Sequence, residues 1–461
     1  MIVMKFGGTS VGNAEAMRRV AGIIADSLDK SPLVIVSAVS KATDALVKLG
    51  TAADLGELEE AVRLTGWLID RYETIAGEIG LDPESPYFKD LEDTERLLLD
   101  LVPGIEKAEG AETLKLQDLC LSRGEFLSTR LLASFLLQQG VDAEWIDAAE
   151  YMVTDSAHGK AQPDKERCLE KVQELLVPKL KSGRVLVSQG FVGSDEDGTV
   201  TTLGRGGSDY SATFIGSLLD AETVEVWTDV DGILTADPSL LPDAKRIRWM
   251  TFEEAAELAY FGAKVLHPAS ILPAIEKGIP VCVLNSLKPG QEGTYILGGM
   301  PEALEAPVLA KSIAYKEGQL VLSIKSSRML MAYGFLARIF SVFEKYQTPV
   351  DLVSTSEVSV SVTIDSQEHL SEIMEELSEF SELEVRQKQV IVCVVGEGLC
   401  MEPGIPSKLF GELQGIRVNM ISQGASSINI SFVIDEEDLP VVVSRIHKRF
   451  FEDGFDETFF A

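Results

Sequence analysis

Short apolar runs recur along residues 1 to 300: MIVMKF, PLVIVSA, AEWID, RVLVSQGF, TVEVWTD and PVCVL. Between them lie longer stretches with helical periodicity at 14–28, 57–79, 112–138, 165–181 and 251–277. Several runs are apolar at consecutive rather than alternate positions, which suits strands covered on both faces. Strand and helix in regular succession leave few solutions, and the expected one is an α/β sandwich with a largely parallel sheet. Ligands in such sheets collect beyond the carboxyl ends of the strands, so the turns leaving the strands are where chemistry is sought.

The rhythm changes after GGMPEALEAPVL (298–309), which has the Gly and Pro content of a linker. Beyond it, QLVLSIKSSRMLMAYGFLARIF…VSVSVTID is echoed by QVIVCVVGEGLCMEPGIPSKLF…INISFVID. Gly334 to Asp365 and Gly404 to Asp435 are equally long, and Phe340 matches Phe410, although the register slips and recovers between them. Each copy reads strand, glycine turn, helix, strand, strand and a second helix, at 367–380 and 437–453. This is the βαββαβ order of a small α+β module, present twice. The expected domains are 1–300, 311–388 and 389–461, in keeping with a chain of 461 residues, too long for one core.

Charge narrows the partners. Asp and Glu number 73 against 41 Lys and Arg, a net charge of −32 that repels nucleic acid and anionic membrane surfaces. An anionic ligand would need a local positive pocket built against that field, so cations beside glycine turns carry information. No apolar run reaches the roughly 18 residues of a membrane span, and no signal peptide is recognisable, so a cytoplasmic location is expected. The five cysteines lack CxxC spacing and the four histidines are dispersed, so no metal-ligating residues are assigned.

The glycine turns are the candidate sites. In KFGGTS, Lys5 precedes Gly7 and Gly8, unlike a Walker A loop or a dinucleotide fingerprint. Glycines after a buried strand let backbone N–H groups approach an oxygen-rich ligand, and Lys5 adds a full charge. In TTLGRGGSDYSA, Arg205 stands among Gly204, Gly206 and Gly207, before Ser208 and Asp209 open a helix. Arginine grips carboxylates and phosphates with a planar fork. VWTDVDGILTADP puts Thr228 and Asp229 at a strand end, with carboxylates suited to ordering Mg²⁺ beside a nucleotide. SRGEFLS and YFGAKVLHP add Glu125, Lys264 and His267. Taken singly, each has a structural alternative: a snorkelling lysine, a helix cap, an acidic turn, a turn histidine.

Taken together, KFGGTSVG, SAVSKATDAL (37–46), SRGE, TLGRGGSDYSA, WTDVDGI and FGAKVLHP, in this order and spacing, resemble the aspartate kinases of the amino acid kinase family. The resemblance covers nearly the whole chain, because such enzymes carry a C-terminal pair of ACT modules, which the duplication is similar to. GFLARIF followed by VDLVSTSEVSVSV is similar to the effector-binding module of lysine-sensitive members. The implied fold is an amino acid kinase αβα sandwich followed by two ACT modules.

The resemblance implies roles. Lys5, Arg205 and Asp209 would be catalytic, with Lys5 stabilising the transferring phosphoryl group and Asp209 orienting lysine side chains. Gly7, Gly8 and Ser10 would cradle phosphate, and Thr228, Asp229, Lys264 and Val265 would contact ATP. Ser37, Thr43, Glu125, Arg205, Gly206 and Ser208 would hold L-aspartate, Glu125 meeting its ammonium and Arg205 a carboxylate. Met329, Phe335, Leu336, Val350, Asp351, Ser356 and Glu357 would bind an amino-acid effector, for which the resemblance implies L-lysine. Leu234, Ser239 and Ala332 depart from the family pattern.

The implied reaction is Mg²⁺- and ATP-dependent phosphorylation of the aspartate side chain to 4-phospho-L-aspartate, the first step toward lysine, threonine and methionine. The acceptor carboxylate is already ionised, so positioning and charge neutralisation suffice without a strong base. The residues after 300 are too few for a dehydrogenase beside two ACT modules, so a monofunctional enzyme is expected. Pairing of ACT sheets implies a homodimer or homotetramer. Two alternatives remain at this point: a sibling kinase acting on glutamate, acetylglutamate or a nucleoside monophosphate, and a non-catalytic amino-acid sensor.

Overall fold

The computed structural model describes residues 1–262, 268–300, 310–326, 333–452 and 459–461. Its contacts divide into two compact units, Met1–Ile233 with Val265–Gly299, and Leu234–Lys264 with Met300–Ala461. The segment 234–264, expected within the first domain, therefore groups with the C-terminal part of the chain. The backbone shows how: Ile313 N donates to Thr235 O at 2.8 Å, and Arg246 and Ala461 exchange two hydrogen bonds.

The first unit opens with β1 (Val3–Phe6), α1 (Ala14–Ala25), β2 (Leu33–Val36) and α2 (Ala42–Asp54). Three long helices follow, α3 (Leu58–Ile79), α4 (Pro86–Lys107) and α5 (Ala111–Gln138). Next come β3 (Ala143–Trp145), α6 (Lys165–Leu175), α7 (Val177–Lys181), β4 (Val185–Gln189), β5 (Val192–Ser194), β6 (Val200–Thr202), α8 (Gly207–Leu218) and β7 (Val224–Thr228). In the second unit, β8 (Trp249–Thr251) and α9 (Phe252–Tyr260) intervene, and the first unit then closes with α10 (Pro268–Lys277), β9 (Val281–Asn285) and β10 (Thr294–Leu297).

All six apolar runs become strands of one sheet, in the order β3-β4-β2-β1-β7-β9-β10 within the unit. Every pairing from β3 to β9 is parallel, and β10 is antiparallel to β9. Burial explains the consecutive apolar residues: β1, β2 and β4 are buried at every position. Helix starts follow capping chemistry. Asn13 accepts from Ala16 N at α1, and Ser85 caps α4 with Pro86 in its first turn.

Two expected helices are broken. Residues 165–181 split at Leu176, ahead of Pro178, which lacks the N–H a continuing helix needs. Residues 251–277 end their first helix at Tyr260, and Gly262 follows with φ 108°, outside the helical region. Sequence periodicity marks neither α2 nor α4. Much of α2 is Ala, Gly and Thr, and Pro103 interrupts the pattern of α4.

The second unit continues with β11 (Ser312–Lys325), α11 (Phe335–Lys345), β12 (Val353–Thr355), β13 (Ser359–Ile364), α12 (Leu370–Ser378) and β14 (Glu382–Val395). It ends with α13 (Ile405–Gly411), β15 (Met420–Gln423), β16 (Asn429–Asp435) and α14 (Leu439–His447). Its antiparallel sheet runs β12-β13-β11-β14-β16-β15. The long central strands β11 and β14 each serve both repeats. Leu320–Lys325 pair with β13, whereas Ser312–Lys316 pair with Ile391–Val395, and the register shifts between Lys316 and Gln319. The second copy thus closes its sheet with a strand that precedes the first copy. Lys388, at the expected module boundary, has φ 54° and divides β14 into its two halves.

Candidate active site

Lys5 sits near the carboxyl end of β1, opposite Ile35 of β2 and Val226 of β7, and is 9% exposed. Its ammonium lies 2.5 Å from Asp209 Oδ1 in the first turn of α8. The two glycine motifs, far apart in sequence, are therefore neighbours in space. Gly8 is required where it stands, because a Cβ there would come 2.6 Å from Ala38 O. Ser10 is buried, and its hydroxyl pairs with Ser286 Oγ at 2.8 Å and donates to Trp227 O at 3.3 Å. Ser286 in turn donates to Thr228 O at 2.9 Å. The turn after β1 is thereby bound to the end of β7, where Thr228 donates to Asp229 Oδ1 at 3.2 Å.

Arg205 precedes α8 between Gly204 and Gly206, which have φ 77° and 76°, and it is exposed. Its guanidinium makes no side-chain hydrogen bond or ion pair with any described residue. The loop lies close on the end of β4: a Cβ on Gly190 would come 2.7 Å from Ser208 Cβ, and one on Gly207 would come 2.8 Å from the Phe191 ring.

Glu125 is buried on α5, and Ala38 N donates to its Oε1 at 3.1 Å. Among the described residues its Oε2 has no partner. Burial pushes this carboxyl up to about 7, against the lowering effect of the Ala38 N–H. An ammonium ligand would relieve that desolvation, which suits the expected meeting of Glu125 with an amino acid. The turn after β2 is pressed onto this helix, since a Cβ on Gly124 would come 2.8 Å from Ala38 Cβ. Ser128 donates to Ser37 O at 2.8 Å, and Tyr72 donates to Gly124 O at 2.7 Å while accepting from Val39 N. Ser37 and Thr43 are half-buried in this turn and the start of α2. Tyr72 and Ser128 were not anticipated from sequence. Ser128 falls three residues after Glu125 in SRGEFLS, whereas nothing local marks Tyr72.

The structure thus brings Lys5, Gly7, Gly8, Arg205, Gly206, Ser208 and Asp209 into one neighbourhood, bordered by the Glu125 turn and by Ser10, Thr228 and Asp229. Lys264, Val265 and His267 lie outside the described residues, as do Met329 and Ala332. Among the described residues no group of three His, Cys, Asp or Glu could hold a metal ion.

The remaining effector candidates belong to the second unit. Phe335 and Val350 pack on the apolar cluster around Ile339, Val362 and Leu377. Leu336 is 41% exposed on α11. Asp351 accepts from Lys316 Nζ at both oxygens, 2.9 and 2.8 Å, and from the Tyr260 hydroxyl at 2.9 Å. Lys316 also pairs with Asp365 at 2.9 Å. Ser356 and Glu357 form the exposed turn between β12 and β13, with Ser356 Oγ bonded to Ser359 Oγ at 2.7 Å.

Comparison with known proteins accords with this arrangement. Residues 1–285 match the amino acid kinase family, and residues 392–450 match an ACT domain. Lysine-sensitive aspartokinase 3 of Escherichia coli (strain K12) is 37% identical, over 98% of this chain and 99% of that protein. The crystal structure of E. coli aspartokinase III in complex with aspartate and ADP (R-state) superposes with a TM-score of 0.80 at 35% identity, covering 98% of this chain and 100% of that one. The same enzyme in complex with lysine and aspartate (T-state) gives a TM-score of 0.83 at 36% identity, over 98% and 99% of the two chains. With its sheet, its glycine turns and its C-terminal antiparallel unit all accounted for, the chain belongs to the amino acid kinase family and, within it, to the aspartokinases.

Proposed function

We propose that the chain transfers the γ-phosphoryl group of Mg²⁺-ATP to the side-chain carboxylate of L-aspartate, releasing ADP and 4-phospho-L-aspartate. A carboxylate oxygen forms the new bond to γ-phosphorus while the bond to the bridging oxygen of ADP breaks, and no proton need leave the acceptor. The observation that carries this reading is the Lys5–Asp209 pair at 2.5 Å beside the Gly7–Gly8 turn. There a buried ammonium oriented by a carboxylate can stabilise the charge that builds up on the transferring phosphoryl oxygens. Arg205, exposed and unpaired among the described residues, is available for a substrate carboxylate, and Glu125 Oε2 for its ammonium. Asp229, exposed beside Thr228 at the end of β7, is the carboxylate that would help hold the Mg²⁺ of the nucleotide substrate, which would supply charge neutralisation on the phosphates.

Feedback by an amino acid, with L-lysine as the first candidate, belongs to the second unit, where Asp351 and Glu357 offer carboxylates and Phe335 and Val350 an apolar wall. Support for lysine comes from the E. coli relative, whose structure in complex with lysine resembles this chain. β12 and β15 are the end strands of the six-stranded sheet, and side-by-side pairing of such modules makes a homodimer or homotetramer the expected result of sedimentation. Among the described residues no helix is long and apolar enough to cross a membrane.

The test is ADP release with aspartate, glutamate, acetylglutamate and nucleoside monophosphates as acceptors, with and without lysine, threonine and methionine. Turnover with aspartate alone, reduced by lysine, is the expected result. Turnover with another acceptor, or amino-acid binding with no turnover at all, overturns it.

A further inference from the structure

Asp118 has no place in the roles above, yet few side chains of the first unit are so completely engaged. It lies on α5, 1% exposed, and accepts from four separate donors. Thr202 Oγ1 donates to it at 2.5 Å and Thr202 N at 3.2 Å. Gly159 N lies within 3.1 Å of both its oxygens, and His158 Nδ1 is 2.9 Å away. Because the carboxylate only accepts, Nδ1 carries the hydrogen. No lysine or arginine pairs with Asp118 among the described residues. A buried carboxylate satisfied by backbone N–H groups and one hydroxyl fixes the backbone that supplies them.

The segments it fixes border the candidate site. Thr202 ends β6, three residues before Arg205. Gly159 O lies 3.0 Å from where a Cβ on Gly204 would be, so the 158–159 turn backs the arginine loop. On its own helix Asp118 precedes Glu125 by two turns, which places both on one face, roughly 10 Å apart along the axis. One rigid helix therefore carries the group expected to meet the substrate ammonium and the group that anchors the loop bearing Arg205.

We propose that Asp118 is a positioning residue that sets the separation between Glu125 and Arg205 and so the affinity for the amino-acid substrate. This rests on the reading of those two residues as the holders of aspartate. It predicts a selective effect: the nucleotide side, built from the turn after β1 and the end of β7, does not pass through Asp118.

The test compares Thr202→Val, Thr202→Ser, Asp118→Asn and Arg205→Ala in the full chain, by KM for aspartate, KM for ATP, kcat and thermal midpoint. Thr202→Val, which keeps the backbone donor but loses the hydroxyl, raises KM for aspartate roughly tenfold with KM for ATP within about twofold. Thr202→Ser restores the original value, and Asp118→Asn shifts it in the same direction as Thr202→Val. If Asp118→Asn does not fold, the two threonine variants decide the matter. Equal rises in both KM values, or a valine variant indistinguishable from the serine one, overturn the positioning role while Arg205→Ala still raises KM for aspartate. An unchanged aspartate KM in Arg205→Ala overturns the reading of the site, and the positioning role with it.

Discussion

Lys5 at the end of the first strand and Asp209 in the first turn of α8 meet at 2.5 Å, although most of the first unit lies between them in sequence. The pairing balances the ammonium with one carboxylate and holds it beside the glycine turn, 3.6 Å from where a Cβ on Gly7 would be. Replacing Lys5 by alanine is expected to lower kcat by roughly 10²- to 10³-fold, as loss of one transition-state donor does elsewhere. Circular dichroism and the thermal midpoint should be recorded alongside, because the Asp209 oxygen that faces Lys5 is buried. Activity within about threefold of the original would remove Lys5 from the transfer step.

Glu125 makes the reaction sensitive to pH. Its carboxyl titrates about 7 when no ligand is bound, raised from the ordinary 4.5 by burial. The profile of kcat/KM for aspartate reports free-enzyme groups, so it should fall as pH drops below 7 and protonation removes the partner of the ammonium. Glu125→Gln should lower kcat/KM and flatten that acidic limb. Stability runs the other way. A raised folded-state value favours the fold fully below 4.5, and this contribution is lost as pH rises through 7. At pH 8 the glutamine variant should therefore unfold at a temperature no lower than the parent chain does.

Gly8 answers to space rather than to φ. Alanine there would put Cβ 2.6 Å from Ala38 O and 3.2 Å from Ser40 N, forcing apart the turns after β1 and β2. Overpacking of this kind costs about 1–3 kcal/mol. Gly8→Ala is thus expected to lose stability by chemical denaturation and to raise KM for ATP and aspartate together. Unchanged kinetics would show that the turn relaxes without consequence.

In the second unit, Asp351 is already engaged by Lys316 and Tyr260, whereas Glu357 stands exposed in its turn. Glu357→Gln should weaken inhibition by the effector without altering uninhibited turnover. Asp351→Asn should weaken inhibition too, with some loss of thermal stability because Lys316 loses a charged partner. Calorimetry of effector binding alongside inhibition curves separates the two outcomes, and unchanged sensitivity in both variants would place the effector elsewhere.

Lys311 and Glu254 form an ion pair 2.7 Å long, at 2% and 0% side-chain exposure. Glu254 also receives Thr251 N and Glu397 N, joining the α9 segment to the second repeat. Removing one partner of such a pair leaves an uncompensated buried charge, about 3–5 kcal/mol. Lys311→Ala should lower the unfolding midpoint accordingly, by far more than Lys277→Ala, whose lysine pairs with Asp220 near the surface.

Much of the site was legible because its signals are local. Lys5 before two glycines, Arg205 among three and the duplicated run from Gly334 each declare themselves within about ten residues. Tyr72 and Asp118 were not legible, since each acts across long sequence separations and sits in a helix whose periodicity reads as ordinary core. Ser10 shows the opposite case: its place in the motif was plain, but its hydroxyl is shared with Ser286.

By itself the sequence determined the parallel strands, through apolar runs that only a sheet covered on both faces can bury, and the glycines that let the strand-end turns approach other backbone. Tertiary structure alone decided which turns meet, because strand order and helix packing, not local propensity, bring β1, α5 and α8 together. It also decided that the second repeat borrows Ser312–Lys316 to close its sheet, an outcome of long-range hydrogen bonding that no window of the sequence contains.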